Sequence, residues 1–187
     1  MQRRKFLLIS VWIMSVWLGG FSLAATVVDT GPGPASGSAL FLSSHYRGLA
    51  GKFTTSQAWR VTSVEAWMQV DVGGPVKAII YKDDAGGTIP GTKLFSQELI
   101  AVVNTSAGWT GATGLNWFLP PGTHWVGFEV DTIGIFCVAY YPAPQPLETY
   151  AAAVIDYPWV AISGMNLGFR IQGNSPSLTG SSMLLVY

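Results

Sequence analysis

The two-residue period of the apolar side chains constrains this chain most. In Val61-Thr62-Ser63-Val64-Glu65-Ala66-Trp67-Met68-Gln69-Val70, the residues Val64, Ala66, Met68 and Val70 share one side of an extended strand. Glu65, Trp67 and Gln69 share the other. The first side is expected in the core. The same alternation in 123–130 buries Val126, Phe128 and Val130 and turns Trp125 and Glu129 outward. No stretch beyond about two turns carries a helical period. Further strands are expected at 39–43, 49–54, 76–82, 93–103, 116–119, 134–140 and 167–172, separated by glycine, proline and other turn residues. This spacing predicts an all-β fold, a two-sheet antiparallel β-sandwich of jelly-roll type.

A different pattern precedes the strands. Met1-Gln2-Arg3-Arg4-Lys5 is followed by an apolar run from Phe6 to Leu18, then Gly19-Gly20 and the small-residue pattern Ser22-Leu23-Ala24. A basic, then apolar, then small-residue leader is the signature of a signal peptide, expected as a helix removed before Ala25. The apolar stretch is close to the roughly 20 residues that cross a bilayer, so a retained anchor is the competing reading. Arg3-Arg4-Lys5-Phe6-Leu7 also resembles a twin-arginine signal, whereas an h-region carrying Trp12, Ile13 and Trp17 suits general secretion. The expected division is a signal peptide over 1–24, a flexible linker over 25–38 that includes Gly31-Pro32-Gly33-Pro34, and one sandwich domain over 39–187. The expected location is secreted or periplasmic, with no stable membrane span once the leader is removed.

Ten Lys and Arg oppose ten Asp and Glu. Three of the cations lie in the leader, so its removal leaves a net charge of −3 and scattered cations. Nucleic acid and anionic membrane surfaces demand clustered positive charge and are not expected partners. Cys137 is the single cysteine. No intramolecular disulfide can form, and its apolar neighbours Phe136 and Val138 predict a small buried hydrophobe.

Several segments carry a resemblance. Lys77 to Leu94 reads as a strand ending in Tyr81, an acidic and glycine turn, then Pro90-Gly91 leading into the next strand. With it go Gly48-Leu49-Ala50-Gly51-Lys52-Phe53, Leu119-Pro120-Pro121-Gly122-Thr123-His124-Trp125-Val126 and Gly168-Phe169-Arg170-Ile171-Gln172-Gly173. Together they resemble the choice-of-anchor and PEP-CTERM group of exported bacterial proteins. The resemblance implies a β-sandwich that reaches the cell surface or the exopolysaccharide matrix. That group ends in a Pro-Glu-Pro signal, a membrane helix and a basic tail. Residues 174–187 depart from this ending, so no anchor of that type is expected and the tail reads as a final strand.

The chemistry-bearing residues form no familiar constellation. Asp83 and Asp84 beside Gly86-Gly87 are a candidate calcium pair, yet the same residues are ordinary hairpin chemistry. His45 and His124 stand without a nucleophile motif around them; His124 falls in register with Val126 and Phe128, as a core histidine would. Glu65, Glu129, Asp131 and Asp156 allow a glycosidase-like pair without specifying one. No cofactor is expected.

The aromatics are more distinctive. Trp59, Trp67, Trp109, Trp117, Trp125 and Trp159 stand in a chain that also places Tyr140, Tyr141, Tyr150 and Tyr157 near the proline-rich stretch 141–148. Indole and phenol rings offer flat apolar faces with polar edges, suited to sugar rings and to protein surfaces. They also fill cores. Strand phase points Trp67 and Trp125 away from the aliphatic set, the alternative being that a loop such as 141–159 covers that face, and Trp159 and Tyr157 complete the expected ligand-binding group. The expected function is a non-enzymatic exported module with an adhesive, matrix or cell-surface role, its partner a polysaccharide or another extracellular protein. A carbohydrate-binding module and a small secreted hydrolase are the alternatives.

Overall fold

The computed structural model describes residues 24–43, 46–84, 87–131, 135–154 and 158–175. Residues 1–23 of the expected leader, 176–187 of the C-terminal tail, His45, Asp156 and Tyr157 lie outside the described residues. Within them the chain is all-β, and no helix is long and apolar enough to cross a membrane. The strands are β1 (Ala25–Asp29), β2 (Ala39–Leu42), β3 (Tyr46–Thr55), β4 (Trp59–Val72), β5 (Gly74–Asp83) and β6 (Pro90–Ala101). They continue with β7 (Gly108–Leu119), β8 (Gly122–Glu129), β9 (Phe136–Tyr140), β10 (Thr149–Val154), β11 (Trp159–Ile162) and β12 (Phe169–Asn174).

These strands form one mixed 12-stranded sheet, in the order β1-β12-β4-β9-β2-β3-β8-β5-β6, with β7 beside β4 and the β10–β11 hairpin beside β3. Among the described residues only β2 and β3 run parallel. The long strand β4 sets the architecture. Its residues up to Met68 pair with β7 and β12, whereas Gln69 to Val72 pair with β9. One strand therefore serves two ladders. The sheet also brings distant strands into contact: Phe128 of β8 stacks on Phe169 of β12 at 6.4 Å, and Tyr150 of β10 stacks on Phe169 at 6.5 Å.

The inward rows follow the expected alternation. Val64, Ala66, Met68 and Val70 are buried, as are Val126, Phe128 and Val130, and all join the main core. Cys137 is buried there too. Burial pushes its thiol up to about 11, with the Asp71 charge adding to the shift, so it is an inert hydrophobe at neutral pH.

The stretch 25–38 is not a free linker. Residues 25–29 pair with β12, and the buried Thr30 continues that ladder: its hydroxyl accepts from the Phe169 N–H at 2.8 Å and donates to the Phe169 carbonyl at 3.2 Å. Further on, the Ser38 carbonyl accepts from the Tyr141 N–H. Backbone donors and acceptors with partners in reach outweigh the loop-like composition. The proline-rich stretch 141–148 is irregular, as expected, and crosses from the Thr30 region to β3: Gln145 N–H donates to the Thr30 carbonyl and Glu148 N–H to that of Lys52.

Candidate functional site

Two outward faces gather the aromatic and charged side chains. The first is built on β12, β4 and β7. Register sets Glu65 opposite Arg170, and Trp67 opposite Trp109, all turned away from the core. Arg170 binds the Glu65 carboxylate through Nε at 2.9 Å and Nη2 at 2.8 Å, and its guanidinium lies 4.4 Å from the centre of the Trp109 ring. Trp109 meets Trp67 edge-to-face at 5.5 Å. The Trp67 indole N–H donates to the Pro34 carbonyl at 3.2 Å, so the segment after β1 crosses this face. Both indoles remain half-buried. Gly111 makes the approach of β7 to β4 possible, since a Cβ there would sit 2.1 Å from the Val64 carbonyl oxygen.

The second face lies on β10, β3, β8 and β5. A floor of small residues, Gly48, Ala50, Gly127 and Ala151, leaves room for flat rings: Tyr81 lies over Gly127, and the Trp159 indole over Gly48. Tyr81 and Trp159 meet edge-to-face at 5.6 Å. Trp125 stands opposite Tyr81 and Lys52 in the ladders. Its indole N–H donates to Asp83 Oδ1 at 2.8 Å, while Lys52 pairs with Asp83 Oδ2 at 3.3 Å and donates to the Gly87 carbonyl. The Tyr81 hydroxyl donates to Glu129 Oε1 at 2.6 Å, and Lys93 pairs with Oε2 of the same carboxylate. Burial, then the Glu129 charge, raises the Tyr81 pKa far above a free phenol, so this hydroxyl stays a donor.

Trp125 departs from expectation. Its phase is correct, since it faces away from Val126 and Phe128, but it is fully buried. Tyr81, Ile89, Trp159 and the Lys52–Asp83 pair belong to the small second core and the polar contacts that enclose it. A wholly enclosed indole has no face to offer a ligand, which removes Trp125 from the expected binding group. Trp159 shares its face with Trp125 and remains half-buried. Trp67 belongs to the other face, so the expected tryptophans do not converge on one groove.

The candidate acids are engaged. Glu65 holds Arg170, Glu129 holds Tyr81 and Lys93, and Asp131 pairs with Lys77. Both Asp83 oxygens are committed to Trp125 and Lys52; Asp84 is exposed, with its backbone carbonyl accepting from the Gly87 N–H. Among the described residues no three His, Cys, Asp or Glu side chains are placed to hold a metal ion.

His124 is buried beside Phe53 and lines an open groove of about 460 Å³ with Lys82, Leu94 and Pro120–Thr123. Its Nε2 lies 3.0 Å from the Pro120 carbonyl, which can only accept, so the proton sits on Nε2. Nδ1 is left an acceptor with no partner among the described residues. Burial holds the imidazole below its ordinary pKa, with the Pro120 carbonyl and the Asp83 charge opposing in part.

Tyr81, Lys52 and Arg170 were not singled out by sequence reasoning, and Trp109 was counted without a position. Each matters through a cross-strand neighbour. The chain matches no protein-family model and no curated protein.

Proposed function

We propose that this protein is an exported, non-enzymatic interaction module of the cell surface or extracellular matrix, its sheet folded into a two-layer sandwich. The carrying observation is how the outward side chains are divided. Glu65, Glu129, Asp83 and Asp131 are each neutralised by a cation, whereas Ile100, Val102 and Val103 stand 65%, 74% and 58% exposed. Acids held in ion pairs suit a solvated structural surface better than proton transfer. Exposed aliphatic side chains close together in the chain suit contact with another surface. The sandwich reading rests on the Phe128–Phe169 stack and on β4 serving two ladders, as a strand does where two layers share a corner. The leader pattern of 1–24 and the resemblance to choice-of-anchor and PEP-CTERM proteins support export.

The test has two arms. The full chain expressed with its leader is expected outside the cytoplasm, and purified protein is expected to bind cell-surface or matrix preparations. Val102→Asp with Val103→Asp should abolish that binding without moving the melting temperature. Turnover of any substrate in a broad glycoside and ester panel overturns the non-enzymatic reading.

A carbohydrate-binding reading is favoured by one observation, the half-buried Trp67–Trp109 pair with Arg170 beside it. Tryptophan fluorescence titrated with a polysaccharide panel separates the two. A shift that Trp109→Ala removes establishes the sugar ligand, and no shift with any glycan leaves a protein partner.

A further inference from the structure

We infer that β6 is a self-pairing edge, and that a second copy of this chain adds to it antiparallel across Ser96. This goes beyond the proposed function, because it names a partner and a register that the interaction reading does not require.

Among the described residues β6 ends the strand order and has β5 as its ladder partner, while Phe95 stacks on Trp117 of β7 at 5.3 Å. From Phe95 to Ala101 its register against β5 is unbroken over seven pairs, Ile80↔Phe95 through Gly74↔Ala101. Its opposite side presents a row of backbone donors and acceptors with no ladder partner among the described residues. Such an edge invites another strand unless something blunts it. The irregularity at Leu94 bounds this unbroken segment, with Lys93 just beyond it.

The outward side chains specify the mate. Lys93 stands opposite Tyr81, Ser96 opposite Ile79 and Glu98 opposite Lys77, and the extra residue Leu94 brings Lys93 into this row. The row along β6 therefore reads cation, hydroxyl, anion: Lys93, Ser96, Glu98. All three are exposed.

An antiparallel pair related by a two-fold axis normal to the sheet keeps like faces together, so a residue on the axis meets its own copy. With Ser96 on the axis, Lys93 of each chain faces Glu98 of the other, twice. On the opposite face Phe95 meets Gln97. Cross-strand opposite charges and a central Ser–Ser contact are favourable neighbours in a sheet. Centring on Glu98 would set that acid against itself, so the charges select the register.

The experiment reads mass and crosslinking. Light scattering on the full chain should give twice the chain mass at about 100 µM, a concentration where even a micromolar interface is occupied. Glu98→Lys sets two cations opposite each other and should return the monomer, and Lys93→Glu/Glu98→Lys should restore the dimer. Since Lys93 also serves Glu129, a third variant leaves every charge in place. Ser96→Cys brings two thiols together across the axis, where opposed Cα atoms lie about 4.5–5.5 Å apart, within disulfide reach. Oxidised Ser96→Cys should accumulate crosslinked dimer roughly tenfold faster than Gln97→Cys, whose copies are out of register. The native Cys137 is buried and does not interfere. A monomeric wild-type chain overturns the inference. So does Ser96→Cys crosslinking no faster than Gln97→Cys, or a dimer that survives Glu98→Lys.

Discussion

Removing the Trp125 indole tests the second outward face most sharply, because a ligand-stacking side chain and an enclosed one fail in opposite ways. Trp125 is fully buried, and its N–H occupies Asp83 Oδ1. A ring of this size takes roughly 200 Å² out of water, worth about 5 kcal/mol at ~25 cal/mol per Å². Truncations of buried tryptophan cost about 3–5 kcal/mol in practice. Trp125→Ala should therefore lower the melting temperature by about 10 °C, at ~2–4 °C per kcal/mol for a domain of this size. Trp125→Phe keeps most of the ring contact but leaves Asp83 Oδ1 without its indole donor, a loss of about 1–3 kcal/mol. Thermal melts of the three proteins, with urea unfolding as a second measure, give the comparison. Because Asp83 is the partner, Asp83→Asn and Trp125→Phe should combine to less than the sum of their separate effects. A Trp125→Ala protein that melts within about 2 °C of the parent would refute the reasoning, since that is under 1 kcal/mol. Unchanged stability together with lost glycan binding would return Trp125 to the role its strand phase suggested.

Gly111→Ala should cost more than about 3 kcal/mol, because the new Cβ would lie 2.1 Å from the Val64 carbonyl oxygen and only a shift of β7 relieves it. Gly108→Ala on the same strand meets open space and should melt close to wild type. For His124, burial sets the folded pKa below the ordinary 6.5, so the unfolded chain takes up the proton first as pH falls. Its contribution is fully present above that value and declines below it, with a slope of at most about 1.4 kcal/mol per pH unit. Urea unfolding across this range should show the decline flattened in His124→Gln; an unchanged slope in the variant counts against it. Calcium should leave the melting temperature unmoved, because both Asp83 oxygens already have partners. A rise that Asp83→Asn abolishes would show the pair to be a cation site.

Strand phase was legible in the sequence where alternation is strict, and cover was not. Val64 to Val70 and Val126 to Val130 were placed on the core side correctly. The same reasoning turned Trp125 to the opposite side with a loop such as 141–159 as the alternative cover, but a period of two says which face a side chain takes and not which residues lie over it. Its cover comes from Ile89 and Trp159, far apart in the chain. β7 was foreseen only over 116–119, since Gly108, Gly111 and Gly114 read as turn chemistry, yet Gly111 is a glycine for close strand approach. β10 escaped because Tyr150-Ala151-Ala152-Ala153 has little intrinsic strand preference. It forms where β3 offers Gly48, Ala50 and Gly51 as ladder partners, a tertiary decision that overrides local propensity. The charged pairs were illegible for the same reason: Glu65 and Arg170 are 105 residues apart and meet only through the register of β4 and β12.

The pairing of β1 with β12 carries a kinetic consequence. Among the described strands β1 is the first to leave the ribosome, and its ladder partner there, β12, is the last. Thr30 and Phe169, which lock the two together, are 139 residues apart. β1 therefore stays unpaired while 139 further residues are added, and such non-local closure makes folding slow. Until β12 is made, the β1 backbone and the Thr30 hydroxyl lack the partners that hold them among the described strands.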